Sequence, residues 1–121
     1  MVNFGAYVKN RRLKKQIGLR TFASSIGEDA GNWCRVEGGR LAAPSDINIL
    51  NKICAVLEIK DTEKEHLFDL AAKGSKEKVP ADIKHQIEEN DIIPILFRTI
   101  DKKKLSKEKL RNLVKRIRDE Y

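Results

Sequence analysis

Asn32 and Arg35 are three residues apart in a short segment, residues 30–36, that has the pattern of a helix, and side chains at that spacing lie on one helix face. Arginine can donate two hydrogen bonds to guanine O6 and N7, and asparagine can make the corresponding pair of bonds to adenine N6 and N7. Ala30 can contact a thymine methyl group, and Gly31 lets the backbone approach closely. These four residues, called the base-reading face below, are candidates for reading DNA sequence. A solvent-exposed helix face with no ligand is the simpler alternative.

The elements that would position this face lie in residues 19–40. The first helix is predicted from apolar residues at helical spacing, namely Leu19, Phe22, Ala23 and Ile26. Gly27 ends that helix, because glycine readily adopts positive φ, and Asp29 caps the next one. Trp33 and Val36 face inward on the second helix. Two short helices joined by a glycine turn form the helix-turn-helix plan, whose second helix lies in the DNA major groove.

Residues 4 to about 59 resemble the Cro/repressor (XRE) family of helix-turn-helix domains. The matching residues are Phe4, Gly5, Val8, Arg12, Leu19, Arg20, Phe22, Ala23, Ile26, Gly27, Val36, Glu37, Gly39, Arg40, Pro44, Ser45, Ile49, Leu50, Ile53 and Leu57. The resemblance implies a helical domain that binds operator DNA. The sequence departs from the family pattern at Arg11, Leu19, Glu28 and Gly31. These departures keep a second interpretation open, a helix-turn-helix-derived protein-interaction module that no longer binds DNA.

Two further sets of polar residues accompany the base-reading face. Arg20, Arg40 and Ser45 are predicted to contact phosphates, which fix the register of a protein on DNA without reading sequence. The family resemblance also implies an ion pair between Arg12 and Glu37, joining the first helix to the end of the recognition helix. A buried, bidentate pair would fix the angle between these helices, whereas an exposed pair would contribute little.

The charge distribution agrees with a phosphate-binding surface in the first half of the chain. Residues 1–60 hold 10 Lys+Arg and 5 Asp+Glu, and residues 61–121 hold 15 and 13, which together give the net charge of +7. The first half is therefore the more basic one, as expected for a surface attracted to nucleic acid. A basic balance that only aids solubility is the alternative.

Other classes of function have little support in the sequence. Neither His66 nor His85 lies near Cys34 or Cys54 at the sequence spacing of metal ligands. The sequence also contains neither a glycine-rich phosphate loop nor a recognisable nucleophile motif. We therefore expect no enzyme, no metal and no cofactor. No apolar run approaches the roughly 18 residues of a membrane span, and the first ten residues lack a signal-peptide pattern. The expected location is the cytoplasm, where both cysteines would be reduced, small buried hydrophobes.

The whole chain is predicted to be all-α. Residues 1–74 would form a five-helix Cro/repressor-like helix-turn-helix domain, and the polar run at residues 74–78 marks the boundary. Residues 79–121 would form a helical C-terminal extension for dimerisation or partner binding. Its helices are predicted to open at Pro80 and Pro94, where proline is tolerated, and after a cap at Ser106.

The last helix carries one apolar stripe, formed by Leu110, Leu113, Val114, Ile117 and Tyr121. We predict that this stripe, with the apolar segment at residues 92–100, forms the dimer or partner face, because helix-turn-helix proteins usually span two half-sites about 34 Å apart. Packing of the two faces on each other within one subunit is the alternative.

The sequence thus favours a sequence-specific transcriptional regulator, a repressor that binds double-stranded operator DNA as a homodimer. An autoregulating antitoxin similar to the HigA-like type, with a small toxin protein as its partner, is one form of this hypothesis. It fits a compact helix-turn-helix followed by a helical extension.

Overall fold

The computed structural model describes residues 3–74 and 79–121. These residues form eight helices and contain no strand, which confirms the all-α prediction. The five-helix Cro/repressor-like fold of the first part stays a prediction. Ser75 to Lys78, most of the polar run predicted as the domain boundary, lies outside the described residues. The helices are α1 (Phe4–Lys14), α2 (Leu19–Ser25), α3 (Ala30–Glu37), α4 (Ile47–Leu57), α5 (Thr62–Lys73), α6 (Ala81–Glu89), α7 (Ile92–Lys103) and α8 (Lys107–Glu120).

Polar side chains start four of these helices by accepting a backbone N–H of the first turn. Asn3 Oδ1 accepts from the Ala6 amide at 2.8 Å, and Asp29 Oδ2 accepts from the Asn32 amide at 3.0 Å. The other two caps are Asp46 for α4 and Ser106 for α8. Because these contacts are local in sequence, the starts of α3 and α8 agree with the sequence-based expectation.

The chain divides into two compact units, Met1–His85 and Gln86–Tyr121, so that the division falls within α6. The first unit has one apolar core to which α1 to α5 all contribute. Its largest fully buried side chains are Trp33, Phe22, Phe68, Ile26, Leu50, Ile53, Leu57, Leu67 and Val8. Ala81, the first residue of α6, packs against this core as well. The predicted boundary at residues 74–78 thus lies upstream of the division between the two units.

The second unit is built differently, because α7 and α8 contain no buried residue and neither does α6. The start of α7 at Ile92 corrects the prediction that this helix opens at Pro94. Pro94 occupies the third helical position, where the missing N–H has no partner within the helix to lose. Asn90 Oδ1 accepts from the Ile92 amide at 3.0 Å and fixes this earlier start.

The structure also bears on the two cysteines and on the expected absence of a membrane-spanning segment. Cys34 is exposed on α3, which corrects the prediction that both cysteines are buried, and Cys54 is buried as expected. Cys34 is exposed because its neighbour Trp33 takes the core-facing position of that helix turn. In the described part of the chain, no helix is both long enough and apolar enough to cross a membrane.

Candidate nucleic-acid interface

The exposed side of α3 places Asn32 and Arg35 next to each other. Arg35 Nη1 donates to Asn32 Oδ1 at 3.1 Å, and both residues are exposed. This contact leaves most of their hydrogen-bonding capacity free, because the asparagine oxygen has a second lone pair and its NH₂ two donors, while the guanidinium has four other N–H groups. The pair therefore lies on an exposed face that a ligand can reach.

The other two residues of the base-reading face have structural roles of their own. Ala30 is half-buried and packs against the core, so that only part of its methyl group is available to a ligand. Gly31 is exposed, and a Cβ at this position would lie 3.1 Å from Asp29 Oδ2. The absence of a side chain at Gly31 thus leaves room for the carboxylate that caps α3.

The inner side of α3 is anchored by Trp33, whose side chain is fully buried. Its ring lies 5.5 Å from the ring of Phe22 and 6.4 Å from that of Phe4, in tilted and edge-to-face arrangements that aromatic pairs prefer. These contacts join α3 to α2 and α1. A rigid inner side fixes the direction in which Asn32 and Arg35 point.

A buried ion pair locks the end of α3 to α1. Arg12 Nε and Nη2 donate to the two carboxylate oxygens of Glu37, both at 2.8 Å, and Arg12 Nη1 donates to the Ile17 carbonyl at 2.8 Å. The side chains of Arg12 and Glu37 are only 7% and 3% exposed. The hydrogen bond to Glu37 raises the pKa of Arg12 above its ordinary value, although burial acts against this. The structure thus brings together the two residues that the family resemblance paired, in the bidentate geometry that fixes a helix angle.

Sequence reasoning missed the third partner of this pair. Trp33 Nε1 donates to Glu37 Oε2 at 2.8 Å. The sequence spacing could have predicted this contact, because Trp33 and Glu37 are four residues apart and side chains at that spacing are neighbours on a helix. Glu37 therefore accepts three hydrogen bonds in the protein interior and has no need of solvent.

Gly5 also positions α3, for a reason that only the structure reveals. A Cβ at Gly5 would lie 2.3 Å from the Val36 carbonyl oxygen and 2.7 Å from that of Glu37. The backbone of α1 therefore touches the end of α3 directly. This close approach brings Arg12, two turns further along α1, within reach of the Glu37 carboxylate.

The predicted phosphate ligands are all exposed, and they lie at the starts and ends of helices. Arg20 is the second residue of α2, Arg40 follows α3, and Ser45 precedes the Asp46 cap of α4. None of the three forms an ion pair with another described residue. Their side chains are therefore accessible to an anion, and the structure leaves their role as phosphate ligands a prediction.

A groove beside the base-reading face is lined in part by negatively charged residues. It has a volume of about 470 Å³, and its lining includes Asn32, Leu41 and Ile49 together with the carboxylates of Glu28 and Asp46. Asp46 is occupied as the cap of α4. Glu28 has no comparable structural contact among the described residues, so its negative charge next to α3 is a feature that any ligand of this face has to accommodate.

The predicted dimer or partner face on α8 is partly covered and partly open. Leu110 and Leu113 are half-buried, whereas Val114, Ile117 and Tyr121 are 47%, 50% and 93% exposed. On α7, the exposed large apolar residues are Ile92, Ile95, Leu96 and Phe97. Residues 86–121 therefore present a large apolar surface to solvent.

Neither a protein-family model nor a curated protein nor a solved structure matches this chain. The family resemblance inferred from the sequence therefore stays a prediction. Among residues 3–74 and 79–121, no group of three or more His, Cys, Asp or Glu side chains is arranged to hold a metal ion.

Proposed function

We propose that this protein is a sequence-specific DNA-binding transcriptional regulator of the Cro/repressor (XRE) type, in which α3 enters the major groove. The observation that carries the proposal is the adjacent pair Asn32 and Arg35 on the open side of a helix whose other side is fixed. These two residue types make the commonest bidentate contacts to adenine and guanine. In this proposal Arg20, Arg40 and Ser45 hold phosphates and set the register.

The fixed inner side of α3 supports this role physically. Trp33 and the Arg12–Glu37 pair leave the helix little freedom to tilt. A rigid recognition helix does not have to be ordered when it binds, and this reduces the cost of binding.

Dimerisation belongs to the same proposal. One copy offers one recognition helix, and a two-fold dimer would span two half-sites about 34 Å apart. The open apolar residues of α7 and α8 supply a surface for a second copy. An autoregulating antitoxin, with a small toxin protein bound to part of this surface, is a more specific form of the proposal.

Base reading is tested by selecting a preferred site from a random duplex library and comparing two arginine variants. Arg35→Ala should cost about 1–3 kcal/mol on the selected site and little on random DNA. Arg40→Ala, the matched control, should weaken both duplexes to a similar extent and reduce the salt slope by about 1. An equal loss on both duplexes for Arg35→Ala would show that Arg35 holds a phosphate instead.

The dimer interface is tested in the full chain by sedimentation. Val114→Asp and Ile117→Asp place a charge on side chains that are already half exposed, so that each subunit should still fold. If these residues form the interface, both variants should sediment as monomers and bind the selected site more weakly. Variants that remain tight dimers would move the interface elsewhere and make α8 the better candidate for a protein partner.

The alternative function is a protein-interaction module that has lost DNA binding. One observation favours it, namely the carboxylates of Glu28 and Asp46 in the groove next to Asn32, since negative charge there opposes phosphates. The library selection separates the two functions. A module of this kind would enrich no sequence, and Glu28→Gln would not raise its affinity for DNA.

A further inference from the structure

The connection between α7 and α8 is rich in positive charge. Residues 101–111, called the cationic turn below, include six Lys or Arg residues and two acidic ones. The six cations are Lys102, Lys103, Lys104, Lys107, Lys109 and Arg111. Residues 92–121 as a whole hold ten Lys+Arg and four Asp+Glu, so that this segment carries +6 of the net charge of +7.

All six cations of the turn are exposed. Within residues 92–121, the ion pair that the structure shows joins Arg116 to Glu120 on α8, at 3.5 Å and outside the turn. The two acidic residues of the turn offset part of its charge, and in the described part of the chain none of its six cations forms an ion pair. An exposed cluster of like charges repels itself, and an anionic ligand would relieve that repulsion.

Helix stability explains only part of the cluster. Lys102 and Lys103 lie in the last turn of α7, where cations interact favourably with the helix dipole. Lys107 and Lys109 lie in the first turn of α8, where the same dipole disfavours them. Ser106 already caps that helix by accepting from the Lys109 amide at 3.2 Å. The lysines at the start of α8 thus act against the stability of their own helix, which points to a role in binding.

We propose that the cationic turn binds the phosphate backbone of double-stranded DNA as a second, sequence-independent contact surface. The proposal deepens the proposed function, because it adds phosphate contacts to a protein whose α3 is proposed to read bases. Neutralising phosphates with lysine and arginine releases condensed counterions and contributes affinity without specificity.

The surroundings of the turn favour a phosphate backbone over a lipid surface. Leu105 and Leu110 are the large apolar residues of the cationic turn, and both are half-buried. A membrane-bound amphipathic helix inserts exposed apolar side chains next to its cations. The exposed apolar residues of the second unit lie instead at residues 92–97 and 114–121, outside the turn. A surface with exposed charge and no exposed large apolar side chain fits a hydrophilic polyanion.

The test uses the full chain with Lys103, Lys107 and Lys109 replaced by glutamine. Two of these changes remove charges that α8 disfavours, so the fold should be retained, and circular dichroism checks this. The control replaces Lys9, Lys14 and Lys60, three exposed lysines of the first unit, with glutamine. Both variants have the same net charge.

Affinity for a mixed-sequence duplex of about 30 base pairs is measured by fluorescence anisotropy over a range of salt concentrations. For the turn variant, the slope of log K against log[salt] should become shallower by up to about 2.7, or about 0.9 for each phosphate that a lysine no longer neutralises. The control variant should keep most of the wild-type slope. Equal changes in the two variants would overturn the proposal, since only net charge would then matter. Stronger binding of the wild type to mixed phosphatidylserine and phosphatidylcholine vesicles than to the duplex would overturn it as well.

The outcome separates this inference from the proposed function. If a preferred site exists and the turn variant keeps the wild-type slope, only the contact at the turn is refuted. If the protein prefers no sequence but the turn variant has a shallower slope, the contact stands and sequence-specific regulation is refuted. A wild-type protein that binds no duplex at all overturns both.

Discussion

Replacing Glu37 with glutamine should destabilise the first unit severely. The substitution keeps the size of the side chain but leaves the Arg12 guanidinium in the interior without a counterion. Glu37 accepts three hydrogen bonds at 2.8 Å, two of them from Arg12, and its side chain is 3% exposed. Removing one partner of a buried pair typically costs about 3–5 kcal/mol. This is a large part of the free energy of unfolding of an ordinary domain, which is about 5–15 kcal/mol.

The assay is urea unfolding followed by fluorescence, because Trp33 is the only tryptophan and its ring nitrogen contacts Glu37 directly. The chain also offers a matched control. Arg11, next to Arg12 on α1, pairs with Glu63 at 2.9 Å, but the Glu63 side chain is 54% exposed. Glu63→Gln should therefore leave the urea midpoint close to that of the wild type, because water can solvate the Arg11 guanidinium in place of the carboxylate.

A double-mutant cycle completes this test. Arg12→Met combined with Glu37→Gln removes the buried charge, so that the double variant should be more stable than the two single losses added together predict. The coupling energy should lie at the upper end of the range of about 0.5–3 kcal/mol found for residues in contact. A loss for Glu37→Gln no larger than that for Glu63→Gln, or a coupling near zero, would refute the assignment of a buried pair that holds α3.

Three further outcomes are expected from the same unfolding assay. Gly5→Ala should cost roughly 2–3 kcal/mol, because its Cβ would lie 2.3 Å from a carbonyl oxygen of α3, whereas Gly18→Ala meets nothing within 4 Å and should change stability far less. Tyr7→Phe should leave stability unchanged or raise it by about 1 kcal/mol, because the buried Tyr7 hydroxyl makes no hydrogen bond of ordinary geometry with a described residue; a clear loss would show that the neighbouring Arg11 guanidinium does bind this hydroxyl. The hydrogen bond from Lys15 holds the pKa of Glu58 below its ordinary value, so the stability it contributes is present above about pH 4.3 and is lost as the pH falls through the lowered, folded-state pKa. Glu58→Gln should flatten this acid dependence, and an unchanged pH profile would contradict it.

Local features of the fold could be predicted from the sequence, because their causes are local. The caps at Asn3, Asp29 and Ser106 each depend on a side chain and an amide three residues apart. The inward position of Trp33 follows from helical spacing alone. The all-α class follows from many such signals that agree with one another.

Features that depend on which surfaces meet could not be predicted in the same way. Spacing assigns Leu113 and Val114 to one apolar stripe, but Leu113 is half-buried and Val114 is exposed. The contact between Gly5 and the end of α3 requires the packing of two helices that are far apart in sequence. The early start of α7 shows a similar limit, because proline marks a helix start only to within the first turn.

The two cysteines differ in accessibility, and this difference allows a probe to be attached selectively at one native position. Cys34 is exposed on α3, whereas Cys54 is buried and its burial raises the pKa of the thiol. Alkylating reagents attack the thiolate, so a maleimide dye or spin label should attach at Cys34 and leave Cys54 unmodified. No engineered cysteine is needed, and a slower labelling rate at Cys34 would show that a bound molecule shields this position of α3.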